Sequence, residues 1–374
     1  MRILSTVYLP PASSLREDAM LWRIISLRDL MEKNGHEVDL VCFCSKFYNK
    51  IDQENGLPNI ITNLNFFPNL SYFKYIYTKK YDLIFANTTW SGFNSLLGKY
   101  NKHPPVFVDV HGLLAEEYML SNSLTSIDKI ISFRARKFID NFSFKHSNKL
   151  ICVSNKLIRY LNYKKNVPLD KMYYIPNGVN LDYFKPLSSE STYKFKKNLG
   201  IEDKLTFGYL GEFQKWQGAD NFINAAREIG DKELAFVIVG GDGTWKKNDD
   251  IIFIPRVARS LVINYYSACD ILVLPRPNHI ATEIAAPTKF AEYASMARPI
   301  LTTDVGDAAE LVRKYDCGIV IRSNSIDDLI GGIRAFKNMT KGQMERMGRN
   351  SRKLAEYEFE WSHHRSDIEL ALRI

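Results

Sequence analysis

Short, fully apolar runs alternate with amphipathic stretches along this chain, and the series occurs twice. The first half reads MRILSTVYL, AMLWRIISLRDLMEKNG, HEVDLVCF, YDLIFAN, PPVFVDVHG and NKLICVSNKLIRYLN. The second reads LTFGYLG, ADNFINAAREIG, LAFVIVGGDG, IIFIP, RSLVINYYSAC, DILVLP, TKFAEYASMA, RPILTTDV, CGIVI and SIDDLIGGIRAF. A strand that is apolar throughout needs cover on both faces, and an intervening helix makes the next strand parallel. The pattern therefore predicts an α/β protein with mostly parallel sheets. At 374 residues and 45% hydrophobic content the chain is larger than one core ordinarily serves, so the two series read as two Rossmann-like domains. The turn Pro176-Asn177-Gly178 and the break at Pro186 place the boundary near residue 175. The expected domains are 1–174 and 175–355. The last segment, from about Met344, is helical by spacing, and its end (about 356–374) either caps the second domain or crosses back to the first.

Five cysteines (Cys42, Cys44, Cys152, Cys269 and Cys317) stand inside apolar runs without paired spacing, which fits a reducing cytoplasm better than a disulfide or zinc framework. The opening run ends at Pro10-Pro11 and reads as a first strand rather than a signal peptide. No stretch is apolar for long enough to span a bilayer. The net charge of +8 is lopsided: residues 1–180 carry 23 Lys+Arg against 15 Asp+Glu, and the remainder carries 27 of each. The excess is either a solubilising surface or a preference of the first half for anionic surroundings.

The segment 270–304, DILVLPRPNHIATEIAAPTKFAEYASMARPILTTD, predicts a buried strand, a polar loop and a helix opening at Pro287-Thr288-Lys289, with Glu292 one turn in. Free N–H groups and the positive dipole end at such a helix start favour an anion, Lys289 adds a cation, and Glu292 offers a carboxylate to sugar hydroxyls. These groups suit a nucleotide-linked sugar. Two further strand ends carry glycine, at Gly211 in the turn 211–218 and at Gly241 in FVIVGGDG. Ligands of open α/β sheets collect outside the carboxyl ends of strands. Taken alone, the GGDG turn serves equally as a tight connection, since the G-x-G-x-x-G spacing is incomplete.

Together, IPNGVNLDYFKP, GYLGEFQKWQGADNFINAA, VIVGGDG and PRPNHIATEIAAPTKFAEYASMARPILTTDVGDAAELV resemble the family 4 retaining glycosyltransferases of GT-B architecture, two Rossmann-like domains facing a central cleft. The resemblance covers nearly the whole chain and is strongest over 173–320. It implies a donor-binding second domain, an acceptor-binding first domain, a nucleoside-diphosphate sugar (UDP favoured) as substrate, and no cofactor or bound metal. The absence of a D-x-D element agrees with the last point. Glu292 matches the downstream glutamate of the family's E-x7-E motif, a ribose contact. Ile284 stands in place of the upstream glutamate, with Glu283 one position off as a candidate sugar contact.

Where the family often has Arg and Lys near the diphosphate, this chain has Glu212 and Gln217, so Lys215 or Lys289 is expected to supply the charge. Arg256 falls in the family's base-binding loop, or is an exposed turn arginine. His111, at the end of PVFVDV, matches the histidine that contacts the donor sugar, and Asp109 would orient it. Glu116 and Glu117 read as solvated. The opening loop 10–14 lacks the glycines usual near the diphosphate. The basic amphipathic stretches 127–149 and 71–80 either pack into their own domain or lie on an anionic membrane at the inner face. The rival functions are a nucleotide-sugar epimerase of the same architecture and a non-catalytic sugar-nucleotide-binding subunit. Glu292→Ala is expected to weaken donor binding far more than folding.

Overall fold

The computed structural model describes residues 1–9, 19–44, 60–62, 76, 78–97, 103–241 and 250–373. The opening loop 10–14, the Asp242-Gly243 end of the GGDG turn and most of the stretch 71–80 lie outside the described residues. The chain divides into two compact units, Met1–Pro176 with Trp361–Ile374, and Asn177–Glu360.

The first unit contains β1 (Arg2–Leu9), β2 (Glu37–Cys44), β3 (Ile60–Thr62), β4 (Leu83–Ala86), β5 (Val106–Val110), β6 (Lys149–Cys152) and β7 (Met172–Tyr174). All neighbours pair in parallel, in the order β3-β2-β1-β4-β5-β6-β7, so the winding direction reverses between β1 and β4. Every residue of β4 and β5 is buried, as a strand covered on both faces requires. The helix Ala19–Lys33 lays Leu27, Leu30 and Met31 on Ile3, Leu83, Phe85 and Phe107. Ile368, Ala371 and Leu372 of the final helix Arg365–Leu372 join the same cluster. Around that seam the Asn34 amide donates to the Arg365 carbonyl at 3.1 Å, and the Lys149 ammonium donates to the carbonyls of Ala371 and Arg373. The preceding helix, Lys341–Glu358, belongs to the second unit, and the chain returns to the first from Trp361 on.

The second unit contains β8 (Leu205–Leu210), β9 (Leu234–Val239), β10 (Ile251–Ile254), β11 (Ile271–Leu274), β12 (Ile300–Thr303) and β13 (Gly318–Ile321), again all parallel, in the order β10-β9-β8-β11-β12-β13. One face is filled by Phe207, Phe222, Phe236 and Phe336, each essentially inaccessible to water. Burying each such ring contributes about 1.5–3 kcal/mol. Phe222, Ile223 and Ala226 reach this core from one stripe of the helix Ala219–Ile229, the spacing a 3.6-residue period demands. The helix Lys341–Glu358 begins with a reciprocal cap, Thr340 accepting from the Gln343 N–H and Gln343 from the Thr340 N–H.

Cys152, Cys269 and Cys317 are buried as free thiols. Burial pushes the pKa of Cys269 and of Cys317 up to about 12, so both stay as protonated thiols packed in the core. Among the described residues no helix is long and apolar enough to cross a membrane.

Candidate functional site

In the second unit the strand order reverses between β8 and β11, so their carboxyl ends open a crevice side by side. The backbone there is drawn together at two glycines. Gly218 has φ +74, and a Cβ on it would overlap the carbonyl oxygen of Pro275 just after β11. Gly240, after β9, has φ +124, and a Cβ on it would overlap the carbonyl of Gly211 after β8. Any side chain at either position would part the strand ends that form the site floor.

The helix Thr288–Ser295 opens at this floor. Pro287, its N-cap, offers no side-chain hydrogen bond to the opening N–H groups of Thr288 and Lys289. The preceding turn is held by Asn177, whose amide donates to the Ala286 carbonyl at 2.6 Å. Lys289 lies across the crevice: its ammonium donates to the Tyr209 hydroxyl at 3.1 Å and to the Gln217 Oε1 at 3.0 Å, and sits 4.5 Å from the centre of the Tyr209 ring. A Cβ on Gly211 would strike the same ammonium. Desolvation, joined by the charge of Arg276, pushes the pKa of Lys289 down to about 7, with Glu292 and Glu212 opposing. The pairing explains the departure at 217. A lysine there would set two ammonium groups against each other, whereas glutamine accepts from the one that arrives.

Glu292 points into an arranged pocket of donors. Its Oε2 accepts from the buried Tyr266 hydroxyl at 2.7 Å and its Oε1 from Arg259 at 3.1 Å. Burial pushes the Tyr266 phenol well up, so it stays protonated and donates. Glu292→Ala, expected to weaken donor binding far more than folding, would also leave a buried hydroxyl unsatisfied, at a cost to folding of about 1–3 kcal/mol.

The polar loop expected after β11 contains a short helix, Ile280–Ile284, which starts on a reciprocal cap between His279 and Thr282. That turn buries Ile284, only 1% exposed, which is why an apolar residue replaces the upstream glutamate. Glu283 turns the other way, accepting from the Gly306 N–H at 2.8 Å at the start of the helix Gly306–Tyr315. Lys215 is exposed on the single turn Lys215–Gln217. Arg256 is 53% exposed and stands 4.0 Å from Glu212. At Gly241 the space a Cβ would fill is taken by the ring of Phe213, which stacks on Tyr209. Sequence reasoning missed Tyr209, Arg259, Tyr266 and Arg276. Of these Arg276 carried the plainest signal, a cation directly after a buried strand, and it is itself buried at 6% exposure.

In the first unit His111 follows β5, with its Nε2 2.6 Å from Asp109 Oδ2. Asp109 is fully buried and held by a two-pronged contact from Arg23, Nε to Oδ2 and Nη2 to Oδ1, both at 2.8 Å. Burial alone would raise the Asp109 pKa; Arg23 and His111 outweigh it and hold the carboxyl well below the usual carboxylate range. Glu117 is exposed, with its carboxylate folded against Gly112. Among the described residues no group of three His, Cys, Asp or Glu side chains is placed to hold a metal ion.

Two family models match: "Glycosyltransferase Family 4" over residues 22–183 and "Glycosyl transferases group 1" over 191–354. The alpha-galactosylglucosyldiacylglycerol synthase of Streptococcus pneumoniae is 28% identical over 44% of this chain and 46% of its own length. The Escherichia coli UDP-Gal:alpha-D-GlcNAc-diphosphoundecaprenol alpha-1,3-galactosyltransferase is 25% identical over 71% of this chain and 68% of its own. The matched region thus spans about half of the first relative and about two thirds of the second. Anabaena HepE, solved with UDP, superposes with TM-score 0.77 at 15% identity, over 100% of this chain and 99% of its own. WaaG, described as a glycosyltransferase of lipopolysaccharide biosynthesis, gives 0.70 at 15% identity over 99% and 98%.

Proposed function

This chain belongs to glycosyltransferase family 4 and has the GT-B architecture, and on that premise we propose that it moves a sugar from a UDP-sugar to a hydroxyl of a glycan or lipid-linked acceptor with retention of configuration. The observation that carries the reading is the Lys289 ammonium set beside an uncapped helix start, with Glu292 one turn further along the same helix. A diphosphate needs a cation and N–H donors, and a ribose needs a carboxylate acceptor. UDP and UDP-glucose are the ligands of solved HepE, and the E. coli relative is named for UDP-Gal. Both matched family models are named for glycosyl transfer, which favours transfer over epimerisation.

In this reading the second unit holds the donor and the first the acceptor. The bond from the sugar to the departing diphosphate breaks, and a diphosphate oxygen takes the acceptor hydroxyl's proton on the same face. Lys289, Arg276 and the N–H groups of Thr288 and Lys289 stabilise the charge that develops on the leaving group, and His111 contacts the transferred sugar. Turnover with UDP-sugars is expected to persist in EDTA and to give a product of unchanged anomeric configuration by NMR. Loss of turnover with chelator, restored by Mg²⁺ or Mn²⁺, overturns the metal-free reading.

Glu292→Gln keeps an oxygen for Tyr266 while removing the charge. It is expected to weaken UDP binding about tenfold or more, since a hydrogen bond to a charged group is worth about 1.5–3 kcal/mol. Calorimetry with UDP checks this, and an unchanged affinity removes Glu292 from the ribose contact.

The helix Ile127–His146 leaves Ile127, Ile131 and Phe138 at 77%, 61% and 60% exposure, on one face with Arg134 and beside Lys137. Its opposite side packs Ile139 and Phe144 into the unit. An apolar stripe edged by cations matches an anionic lipid surface, and one relative is named for a diacylglycerol-linked product and another for an undecaprenol-linked acceptor. Salt-sensitive binding to anionic vesicles is expected, and replacing Arg134 and Lys137 by Gln should weaken it without altering UDP affinity. Arg136 is left in place because it lies over the Tyr118 ring. Vesicle binding that ignores both salt and the substitutions overturns the membrane contact.

A further inference from the structure

The Arg23 guanidinium does more than neutralise one carboxylate. Two of its nitrogens grip Asp109, and it donates as well to the carbonyls of Ile175 at 2.9 Å and Pro176 at 2.7 Å. Arg23 is 2% exposed and Asp109 0%, so neither exchanges these contacts for water. Asp109 therefore receives hydrogen bonds from Arg23 on both oxygens and acts on His111 as an acceptor only. The His111 nitrogen that faces it, Nε2, must carry the proton. In a neutral imidazole the other nitrogen, Nδ1, is then an acceptor, and the side chain is 24% exposed.

We propose that Arg23 is a positioning residue for the transfer reaction: by saturating Asp109 it fixes the Nε2–H tautomer of His111, which then meets the donor sugar through Nδ1 as the acceptor of one sugar hydroxyl proton. The proposal rests on the reading that His111 contacts the transferred sugar. The chemistry it predicts is selective, because a hydroxyl can donate to Nδ1 whereas hydrogen or fluorine in its place cannot. A histidine donating through N–H would instead accept fluorine better than hydrogen. The guanidinium that sets this tautomer also holds the carbonyls of Ile175 and Pro176, the last two residues of the segment Met1–Pro176, so His111 and the end of that segment share one anchor.

The first test uses the wild-type protein. Nitrogen-15 NMR of the neutral His111 ring is expected to show protonated Nε2 and bare Nδ1. The other tautomer, with Nδ1 protonated and Nε2 bare, overturns the proposal without any mutant. A second arm measures turnover of UDP-glucose and of its deoxy and deoxyfluoro analogues at each sugar hydroxyl. At one position fluorine should be no better than hydrogen, both about tenfold worse than hydroxyl. Tolerance of fluorine at every position where hydrogen is rejected counts against Nδ1 as acceptor. The third arm is Asp109→Asn, whose amide can donate to Nε2: the tautomer should invert and kcat fall while UDP affinity holds. An Asp109→Asn protein with the wild-type tautomer and a normal kcat overturns the relay. Failure of UDP itself to bind wild type strikes the donor reading instead, so the two failures are separable.

Discussion

Lys289→Met is expected to lower kcat/KM for the nucleotide sugar by about 10²–10³, the loss typical when one preorganised stabiliser of developing charge is removed. The ammonium is boxed by Tyr209, Gln217 and the backbone of Gly211, and desolvation with the help of Arg276 pushes its pKa down to about 7. A diphosphate placed beside it reverses that push, because a double negative charge favours the protonated form. Binding of the donor above pH 7 therefore takes up a proton. Affinity should accordingly fall as pH rises above about 7, by up to tenfold per unit, and level off below. UDP-glucose is the proper probe, since its diphosphate does not itself titrate there. At pH 8 its calorimetric binding enthalpy should vary with the ionisation enthalpy of the buffer, and in Lys289→Met that variation should disappear. A buffer-independent enthalpy in wild type would mean that Lys289 is already charged before the donor arrives, and would remove the proton linkage.

How much of the fold and the site is legible in the sequence depends on how far apart the partners lie along the chain. Parallel strands buried on both faces print themselves as apolar runs, so β4, β5, β8, β9 and β11 were readable, and the helix at Thr288 followed from Pro287 and the periodic residues behind it. The short helix Ile280–Ile284 was not, because histidine is an uncommon N-cap and His279 gave no signal of one. That miss also hid why Glu283 and Ile284 exchange roles: one turn of helix puts the glutamate at the Gly306 N–H and the isoleucine in the core. Lys289 and Gln217 were each visible, one as a cation and the other as a missing cation, but their meeting depends on the strand order and not on spacing. Tyr266 was readable only as one more aromatic of an amphipathic segment, yet its hydroxyl decides what a substitution at Glu292 costs. Arg23 and Asp109 are 86 residues apart, in a helix and a strand that periodicity assigns only to the core.

That last pair carries the largest expected effect on stability. Arg23→Met should destabilise the first unit by about 3–5 kcal/mol, because it strands a buried carboxylate rather than merely deleting a contact. Hydrogen exchange of the β5 amides under increasing urea reports this unit by itself. The pH dependence separates charge from packing. In wild type the Asp109 pKa is held well below its unfolded value, so its contribution is present above about pH 4 and lost as pH falls through the folded value. In Arg23→Met burial acts with only His111 against it, the folded pKa rises, and the stranded charge is relieved by protonation as pH falls. Between neutrality and about pH 4.5 the wild type keeps this contribution while the variant regains stability as its Asp109 protonates, so the gap between them should be widest near neutrality and narrow by about pH 4.5. A gap that stays constant over that range would assign the loss to the unfilled carbonyls of Ile175 and Pro176 and to packing, and would remove the carboxylate from the account.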